Sequence, residues 1–433
     1  MNSTIFALAS HPGRAGVAVV RVSGPLAGGC AQALAGPLPA PRQAVLRRLT
    51  HRGQEIDQGL LLWFPAPHSF TGEDVAEFHL HGGRAIREAL FSALLQLGLR
   101  PAEPGEFSRR AVENGKLDLT RAEAIADLVD AETPAQLRQA LRQYDGALAD
   151  LYEGWRTRLI AALGRAEAAI DFSDDGVGET EFAAAHRAAS EISQEIQGHM
   201  DDAGRGESLR EGLRLTILGP PNAGKSSLIN ALARRDVAIV SDTPGTTRDV
   251  VEARLDLGGY LLQVADTAGV RDTAEPIEAE GVRRALSHAA GGMTLLLLDG
   301  SSDNPRAGLP ADMPEPDMTV WNKADLFKRP REGLSISLKT GEGLALLQEM
   351  LQQKVQQKLE SPGCAAPLTR ARHRHALREA VEALQHGLSA PGDHPELLAE
   401  DLRLAMRALG RITGMVDVEE LLDFVFRDFC IGK

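Results

Sequence analysis

Residues 213–227 read LRLTILGPPNAGKSS, and the rest of the chain is best read outward from them. Leu213–Leu218 is a short apolar run of strand length. Gly219-Pro220-Pro221-Asn222-Ala223-Gly224-Lys225-Ser226 then has the spacing of a phosphate-binding loop, and Ser226–Ala233 opens a helix. Glycines let the backbone curl so that amide N–H groups turn towards phosphate oxygens. The helix N-terminus adds a favourable partial positive charge. Lys225 is expected to reach the β- and γ-phosphates, and Ser226 to ligate Mg²⁺. Asn222, Ala223, Gly224, Lys225, Ser226 and Ser227 are the candidate contacts of this loop.

Three further motifs follow in order. Asp266-Thr267-Ala268-Gly269 closes the run LLQVADTAG; an Asp there can hold the Mg²⁺ hydration shell, and the Gly269 N–H can sense a γ-phosphate. Asn322-Lys323-Ala324-Asp325 follows the strand-like MTVW. Asp325 can accept two hydrogen bonds from guanine N1 and N2. Adenine lacks those donors, and each charged hydrogen bond is worth ~1.5–3 kcal/mol, which is enough to select GTP over ATP. Ser337-Leu338-Lys339 would complete the base pocket. Between the first two motifs lies Ser241-Asp242-Thr243-Pro244-Gly245-Thr246-Thr247, a hydroxyl-bearing loop suited to closing on Mg²⁺ and γ-phosphate. Thr247 is the first choice as Mg²⁺ ligand and Thr246 the second. Many GTPases place Gln after the DxxG motif to orient the attacking water. Val270 stands there, so hydrolysis must recruit another group. Glu278 is a candidate, with an exposed helix-start carboxylate as the alternative reading.

The chain has 433 residues, more than one ordinary domain at a prior of roughly 100–200 residues each. Apolar residues make up 43% and charged residues 25%, as in soluble globular proteins. The start, MNSTIFALASHPGRAG, lacks the basic and apolar regions of a secretory signal. No apolar run nears the ~20 residues of a membrane helix. Cys30, Cys364 and Cys430 lie too far apart for a metal or disulfide framework. A cytoplasmic protein without membrane association is expected. The net charge of −13 excludes a uniformly basic nucleic-acid binder, though not a local basic patch. Only eight of the 47 basic residues are lysine, so Lys at a motif position carries extra weight.

The expected architecture is multidomain α/β. Residues 1–117 form an N-terminal α+β domain, with strands at 16–24, 60–67 and 75–83 and a helix at 84–97. A discontinuous all-α helical domain takes 118–210 and 361–433. Between its parts sits an inserted Ras-like P-loop GTPase α/β domain at 211–360, with strands at 213–218, 237–241, 255–265, 294–299, 318–321 and 334–337. Thr120 with Glu123 reads as a capping box, and Thr133-Pro134 as a helix start. Leu137, Leu141, Tyr144, Leu148, Leu151, Trp155 and Leu159 recur as the seam of one long helix. SPGCAAP (361–367) reads as a linker.

Other clusters admit two readings. Glu77, His79 and His81 share one strand face and are either metal ligands or part of a half-solvated or ligand-binding face. His373 and His375 point apart on a helix. Arg370, Arg372, Arg374 and Arg378 either meet RNA phosphates or line a solvated helix start. Cys430 is a buried helix cysteine or a reactive one.

At this point the residues resemble one family, the tRNA-modifying GTPase family MnmE, or TrmE, among the TrmE-Era-Der-like GTPases. The likeness spans essentially the whole chain. It rests on GPPNAGKSS, PGTTRD, DTAG, NKAD, SFTGEDVAEFHLHGG, PGEFSRRAVENGKLDLTRAEAIADL and the terminal Cys430-Ile431-Gly432-Lys433. The resemblance implies an N-terminal domain that forms a homodimer and binds 5-formyltetrahydrofolate. It implies a flavoprotein partner, MnmG (GidA), in a heterotetramer that acts on C5 of the wobble uridine of certain tRNAs. It implies G domains that pair across the nucleotide, with GTP hydrolysis to GDP driving conformational change. Carried over by position, Arg21, Glu77, Lys116 and Lys433 resemble folate contacts. Asn222, Ser241, Thr243 and Thr246 resemble a K⁺ site that would replace an arginine finger, and Glu278 falls where the family keeps its catalytic carboxylate. Pro220 stands where Arg is more usual, and Thr243-Pro244 where Ile-Ala is common. The competing reading is a GTP-switched, RNA-binding ribosome-maturation factor without base chemistry. A P-loop metabolic kinase fits poorly, because NKAD specifies guanine.

Overall fold

The structure is a computed structural model that describes residues 3–172, 177–202, 204–233, 252–266, 292–307, 309–310, 313–327, 333–360, 367–389, 394–416, 419–427, 429 and 432. The chain divides into two compact units, residues 1–126 with 409–433, and residues 127–408.

In the first unit, strands β1 (Ile5–Leu8), β2 (Ala18–Ser23), β3 (Val45–His51), β4 (Gln54–Phe64), β5 (Val75–Leu80) and β6 (Arg100–Pro101) form one sheet in the order β3-β4-β5-β2-β1-β6. Alternation decides which face is which. Val20, Val22, Leu61 and Phe78 point to one side and bury against Ala31 and Leu34 of α1 (Ala27–Ala35) and Leu90 and Leu94 of α2 (Arg84–Gln96). Each such large apolar side chain contributes about 1.5–3 kcal/mol by leaving water. On the other side Ile5 and Ala7 meet Phe107 of α3 (Glu106–Glu113), with Phe70 packed against them. The β2–β5 register sets Arg21 directly opposite Glu77. Leu119 and Ala122 of α4 (Leu119–Asp130) pack on Leu422, Phe426 and Phe429, the first two from α13 (Glu419–Phe426).

The capping box expected at Thr120 is displaced. The cap is Asp118, whose Oδ1 accepts the Thr120 and Arg121 amides at 2.9 and 3.1 Å and the Thr120 hydroxyl at 2.5 Å. A carboxylate two residues earlier wins the orphan amides, and its charge suits the helix N-terminus.

The second unit holds a parallel sheet and helices. Strands β7 (Leu213–Leu218), β8 (Glu252–Leu257), β9 (Tyr260–Asp266), β10 (Met293–Asp299), β11 (Met318–Asn322) and β12 (Leu334–Ser335) run in the order β12-β11-β10-β7-β9-β8. All neighbours are parallel except the β8–β9 pair. Leu295 to Leu298 are all fully buried because both faces of β10 are covered. The run 255–265, read as one strand, is a hairpin: Gly258 and Gly259 both take positive φ and reverse the chain. Flanking this sheet are α9 (Lys225–Ala233) and α10 (Leu344–Leu359).

Helices α5 (Pro134–Tyr144), α6 (Ala147–Asp171), α7 (Val177–Met200), α8 (Arg205–Glu211) and α11 (Ala371–Ser389) make the helical part, with α12 (Pro395–Thr413) following. Thr133 caps α5 with Pro134 in its first turn, as read, and Gln136 completes a capping box that the sequence reading did not include. The single long helix does not form, because Gly146 at φ 104° breaks it between α5 and α6. The break also turns α5 over. Leu137, Leu141 and Tyr144 are exposed, while Gln136, Gln139 and Gln143 are buried and hydrogen-bonded. On α6 the seam holds at Leu148, Trp155 and Leu159, which are buried, whereas Leu151 is half-buried and its neighbour Tyr152 takes the buried position.

Both crossings into the α/β part are tied to each other. A Cβ on Gly206 would lie 2.0 Å from the Leu368 carbonyl oxygen. Arg374 donates to Asp202 and to the Met200 carbonyl, both at 2.8 Å, and Arg370 to Asp127 at 2.7 Å. Arg370 and Arg374 thus pair with acidic residues of the chain itself, while Arg378 is exposed on α11.

Candidate functional site

The carboxyl ends of β7, β9, β11 and β12 lie along one edge of the parallel sheet, the edge where α/β folds bind ligands. β7 delivers the loop Gly219–Gly224. Gly219 has φ 152°, and a Cβ on it would lie 2.2 Å from the Leu297 carbonyl oxygen. Gly224 has φ 103°, and its Cβ would meet the Asn322 amide nitrogen at 2.5 Å. Asn222 takes the left-handed conformation at φ 60°. Only glycine fits the first two positions, which is how the loop stays thin enough for its backbone to face a ligand. Ala223 is buried, whereas Asn222, Ser226 and Ser227 are exposed at the mouth of α9. Lys225 arches over the loop, its Nζ donating to the Gly219 and Pro220 carbonyls at 2.8 and 3.1 Å.

β11 ends in Asn322, which is 3% exposed. Its Nδ2 donates to the Ala223 carbonyl at 2.7 Å, and its Oδ1 accepts the Leu338 amide at 3.3 Å. One side chain thus ties the phosphate loop to the segment after β12. Lys323 has φ 65° and pairs through Nζ with Asp299 Oδ2 at 2.5 Å. Burial pushes the Asp299 carboxyl up, but hydrogen bonds from Lys323 and from the Ser301 hydroxyl and amide outweigh it and hold it below the usual range. Asp325 sits in the short helix Ala324–Leu326, and its Oδ1 accepts from the buried Ser337 hydroxyl at 2.7 Å. The Ser337 oxygen accepts in turn from the Thr340 amide at 3.2 Å. One Asp325 oxygen is thus fixed by Ser337, while the residue itself is exposed. Lys339, two residues after Ser337, is exposed.

Asp266 closes β9 on the same edge. Its side chain lies outside the described residues, as do Ser241, Asp242, Thr243, Pro244, Gly245, Thr246, Thr247, Thr267, Ala268, Gly269, Glu278, Cys430 and Lys433. A cavity of about 760 Å³ in this unit, lined by Arg138, Arg142, Tyr260 and Glu360, includes none of the phosphate-loop residues.

A second polar cluster lies in the N-terminal unit. Arg21 Nε donates to Glu77 Oε1 at 2.9 Å, and its guanidinium lies 5.3 and 5.7 Å from the ring centres of Phe70 and Phe107. His79 Nε2 is 3.2 Å from Glu77 Oε2. The hydrogen bond from His79, followed by the charge and hydrogen bond of Arg21, holds the Glu77 carboxyl below its usual range against the opposing effect of burial. Lys116 is exposed, and its Nζ donates to the Pro67 carbonyl at 3.0 Å. His81 turns away to Asp57 at 2.9 Å, so Glu77, His79 and His81 do not converge on a metal. No group of three metal-type ligands occurs among the described residues. His373 is buried and His375 is paired with Glu379 at 3.1 Å.

Sequence reading missed Asp299, Phe70 and Phe107. Asp299 had a usable signal, an acid ending the all-apolar strand LLLLD. The aromatic pair had none, because only the folded register brings both rings to Arg21.

Two family models match the chain: the MnmE helical domain over residues 119–430 and the GTP-binding protein TrmE N-terminus over residues 4–116. Curated relatives named tRNA modification GTPase MnmE align along their whole length. That of Paramagnetospirillum magneticum is 54% identical, with 100% of both chains covered. That of Rhodospirillum rubrum is 52% identical over 99% of each chain, and that of Maricaulis maris 50% over 100% of each. With the phosphate loop and the guanine-type motifs on one sheet edge, this chain belongs to the tRNA modification GTPase MnmE family.

Proposed function

We propose that this tRNA modification GTPase is stimulated by K⁺ and works with a flavin-dependent partner to install an aminomethyl or carboxymethylaminomethyl group at C5 of the wobble uridine. The nucleotide part of the reading is supported by one observation above the others: Asn322 joins the Ala223 carbonyl of the phosphate loop to the Leu338 amide, beside an Asp325 oriented by Ser337. That arrangement supports reading the loop as a phosphate cradle and Asp325 as the carboxylate acceptor for guanine, held together on one sheet edge.

In this reading Lys225 and the loop amides bind the phosphates, and Asp325, Asn322, Lys323 and Ser337–Lys339 bind the base. Ser226 and Thr247 would hold Mg²⁺, and Asn222 with Ser241, Thr243 and Thr246 would hold K⁺; bound there, the two cations would supply neutralisation of the charge developing on the transferred phosphoryl group. The thin, glycine-bounded loop fits close backbone approach to such a charged group. Glu278 orients the attacking water, the task that Val270 cannot perform. Arg21, Glu77, Lys116 and Lys433 bind a formylated tetrahydrofolate as one-carbon donor. The functional molecule is a cytoplasmic homodimer through its N-terminal domain, joined by MnmG. No helix among the described residues is long and apolar enough to cross a membrane.

GTP turnover compared in KCl and NaCl tests the mechanism. Faster turnover in KCl is expected, and equal rates would remove the potassium role. In the same assay Glu278→Ala should abolish hydrolysis while GDP binding persists; unchanged turnover would move the catalytic role elsewhere. Nucleoside analysis of tRNA from cells lacking the protein separates this reading from a ribosome-maturation factor, which would leave the wobble uridine unaltered.

A further inference from the structure

Arg110 of α3 is 5% exposed, and both of its Nη atoms are engaged. Nη1 donates to both oxygens of Glu73, at 3.2 and 2.9 Å, while Nη2 donates to the Ser3 carbonyl and to Glu106 Oε1, both at 2.8 Å. Ser23 Oγ donates to Glu73 Oε2 at 2.7 Å. Having given its proton there, Ser23 must accept from Thr71 Oγ1, which lies 2.7 Å away. Ser23, Thr71 and Glu106 are buried too. The result is a closed polar chain from β2 through the 66–74 loop into α3.

Such a chain is poor value as a source of stability. Removing paired charges from water costs about as much as their attraction returns, and well-packed apolar residues would do as well. What it provides is a fixed geometry, and that geometry surrounds the candidate folate residues. The 66–74 loop shaped by Glu73 carries Phe70, one ring against Arg21. α3, anchored by Arg110, carries Phe107, the other ring. The chain leaving α3 lies over the same loop: Asn114 Nδ2 donates to the Thr71 carbonyl at 2.7 Å and Lys116 Nζ to the Pro67 carbonyl at 3.0 Å. Gly72, at φ 78°, leaves room for them, since a Cβ there would lie 3.0 Å from Asn114 Cβ. Arg21 and Lys116 are thus placed by two segments that the Arg110–Glu73 pair locks together.

We propose that Arg110 and Glu73 are positioning residues of the one-carbon-donor site, setting the separation of Arg21 from Lys116 without touching the ligand. The proposal rests on the folate reading above. It is tested by calorimetric titration of 5-formyltetrahydrofolate into the full chain and into Arg110→Met, Arg110→Lys and Glu73→Gln, with circular dichroism and an unfolding midpoint for each. Arg110→Met should weaken binding by about tenfold or more, as expected for loss of a charged, multiply bonded support. Arg110→Lys should recover part of that loss, because an ammonium keeps the charge but not the two-pronged geometry. Should Arg110→Met fail to fold, Glu73→Gln, which keeps the volume, is expected to show the same weakening. A merely structural role would lower the unfolding midpoint, leave the affinity of the folded variants at the parent value and make Lys no better than Met; that result overturns the proposal. Failure of the parent chain itself to bind overturns the folate reading, and the positioning role with it, and the parent titration alone reports that outcome.

Discussion

Asn322→Ala is the sharpest structural test of the nucleotide edge. The substitution removes a buried side chain that makes two hydrogen bonds, one to the Ala223 carbonyl at 2.7 Å and one from the Leu338 amide at 3.3 Å. Ala223 is fully buried, so its carbonyl would lose this partner away from water, at about 1–3 kcal/mol; the longer, partly buried bond adds about 0.5–1.5 kcal/mol. The unfolding free energy of the 127–408 unit should fall by about 2–4 kcal/mol. Binding needs the phosphate loop and the base strap held in register, so GDP affinity should fall as well, by about tenfold or more. Denaturant unfolding with and without GDP, on the purified full chain, measures both. A variant with parent stability and parent GDP affinity would refute the idea that this one amide joins the two halves of the site.

Two further outcomes follow from the geometry. Gly219→Ala forces a Cβ to within 2.2 Å of the Leu297 carbonyl oxygen at a positive φ, so the chain should either fail to fold or lose at least ~3 kcal/mol of stability; normal stability and GDP binding would contradict the loop geometry. In the N-terminal unit the hydrogen bond from His79 and then the Arg21 pairing hold Glu77 below its usual range. Burial raises Glu106, but bonds from Arg100, from the Glu103 amide and from Arg110 more than offset it. Folded pKa values below the unfolded ones mean that the unfolded chain binds the extra protons. The stability these groups confer is therefore present above the ordinary carboxylate pKa, about 4.3, and is lost as pH falls through their depressed values. Denaturation followed between pH 6 and pH 3 should show that decline, smaller in Glu106→Gln; a flat profile would mean that these carboxylates are not stabilised by their partners.

The nucleotide edge was legible because its signals are local. A strand, a glycine-bounded turn and a helix lie within 21 residues, Leu213–Ala233, and the strands at 213–218, 294–299 and 318–321 appear within a residue of where the apolar runs placed them. Errors arose where a distant partner decides. Leu137, Leu141 and Tyr144 keep helical spacing, yet Gly146 breaks the helix and the buried face of α5 is made of glutamines, whose amides find partners such as the Arg210 carbonyl. Arg370 and Arg374, readable either as a basic patch or as a solvated helix start, pair with Asp127 and Asp202 from some 170–240 residues earlier, partners that no local reading contains. The Arg21–Glu77 pair depends on antiparallel register between strands 56 residues apart, which no short window contains. The hairpin at Gly258-Gly259 did carry a local signal, two glycines inside an apolar run, and could have been read.

Direct calorimetric comparison of GTP with ATP on the purified chain bears most directly on the central claim, that a phosphate cradle and the Asp325 carboxylate on one sheet edge make this a guanine-nucleotide enzyme. Two lost charged hydrogen bonds at ~1.5–3 kcal/mol each set the expectation: ATP should bind at least about a hundredfold more weakly than GTP. Equal affinity for the two nucleotides would contradict it.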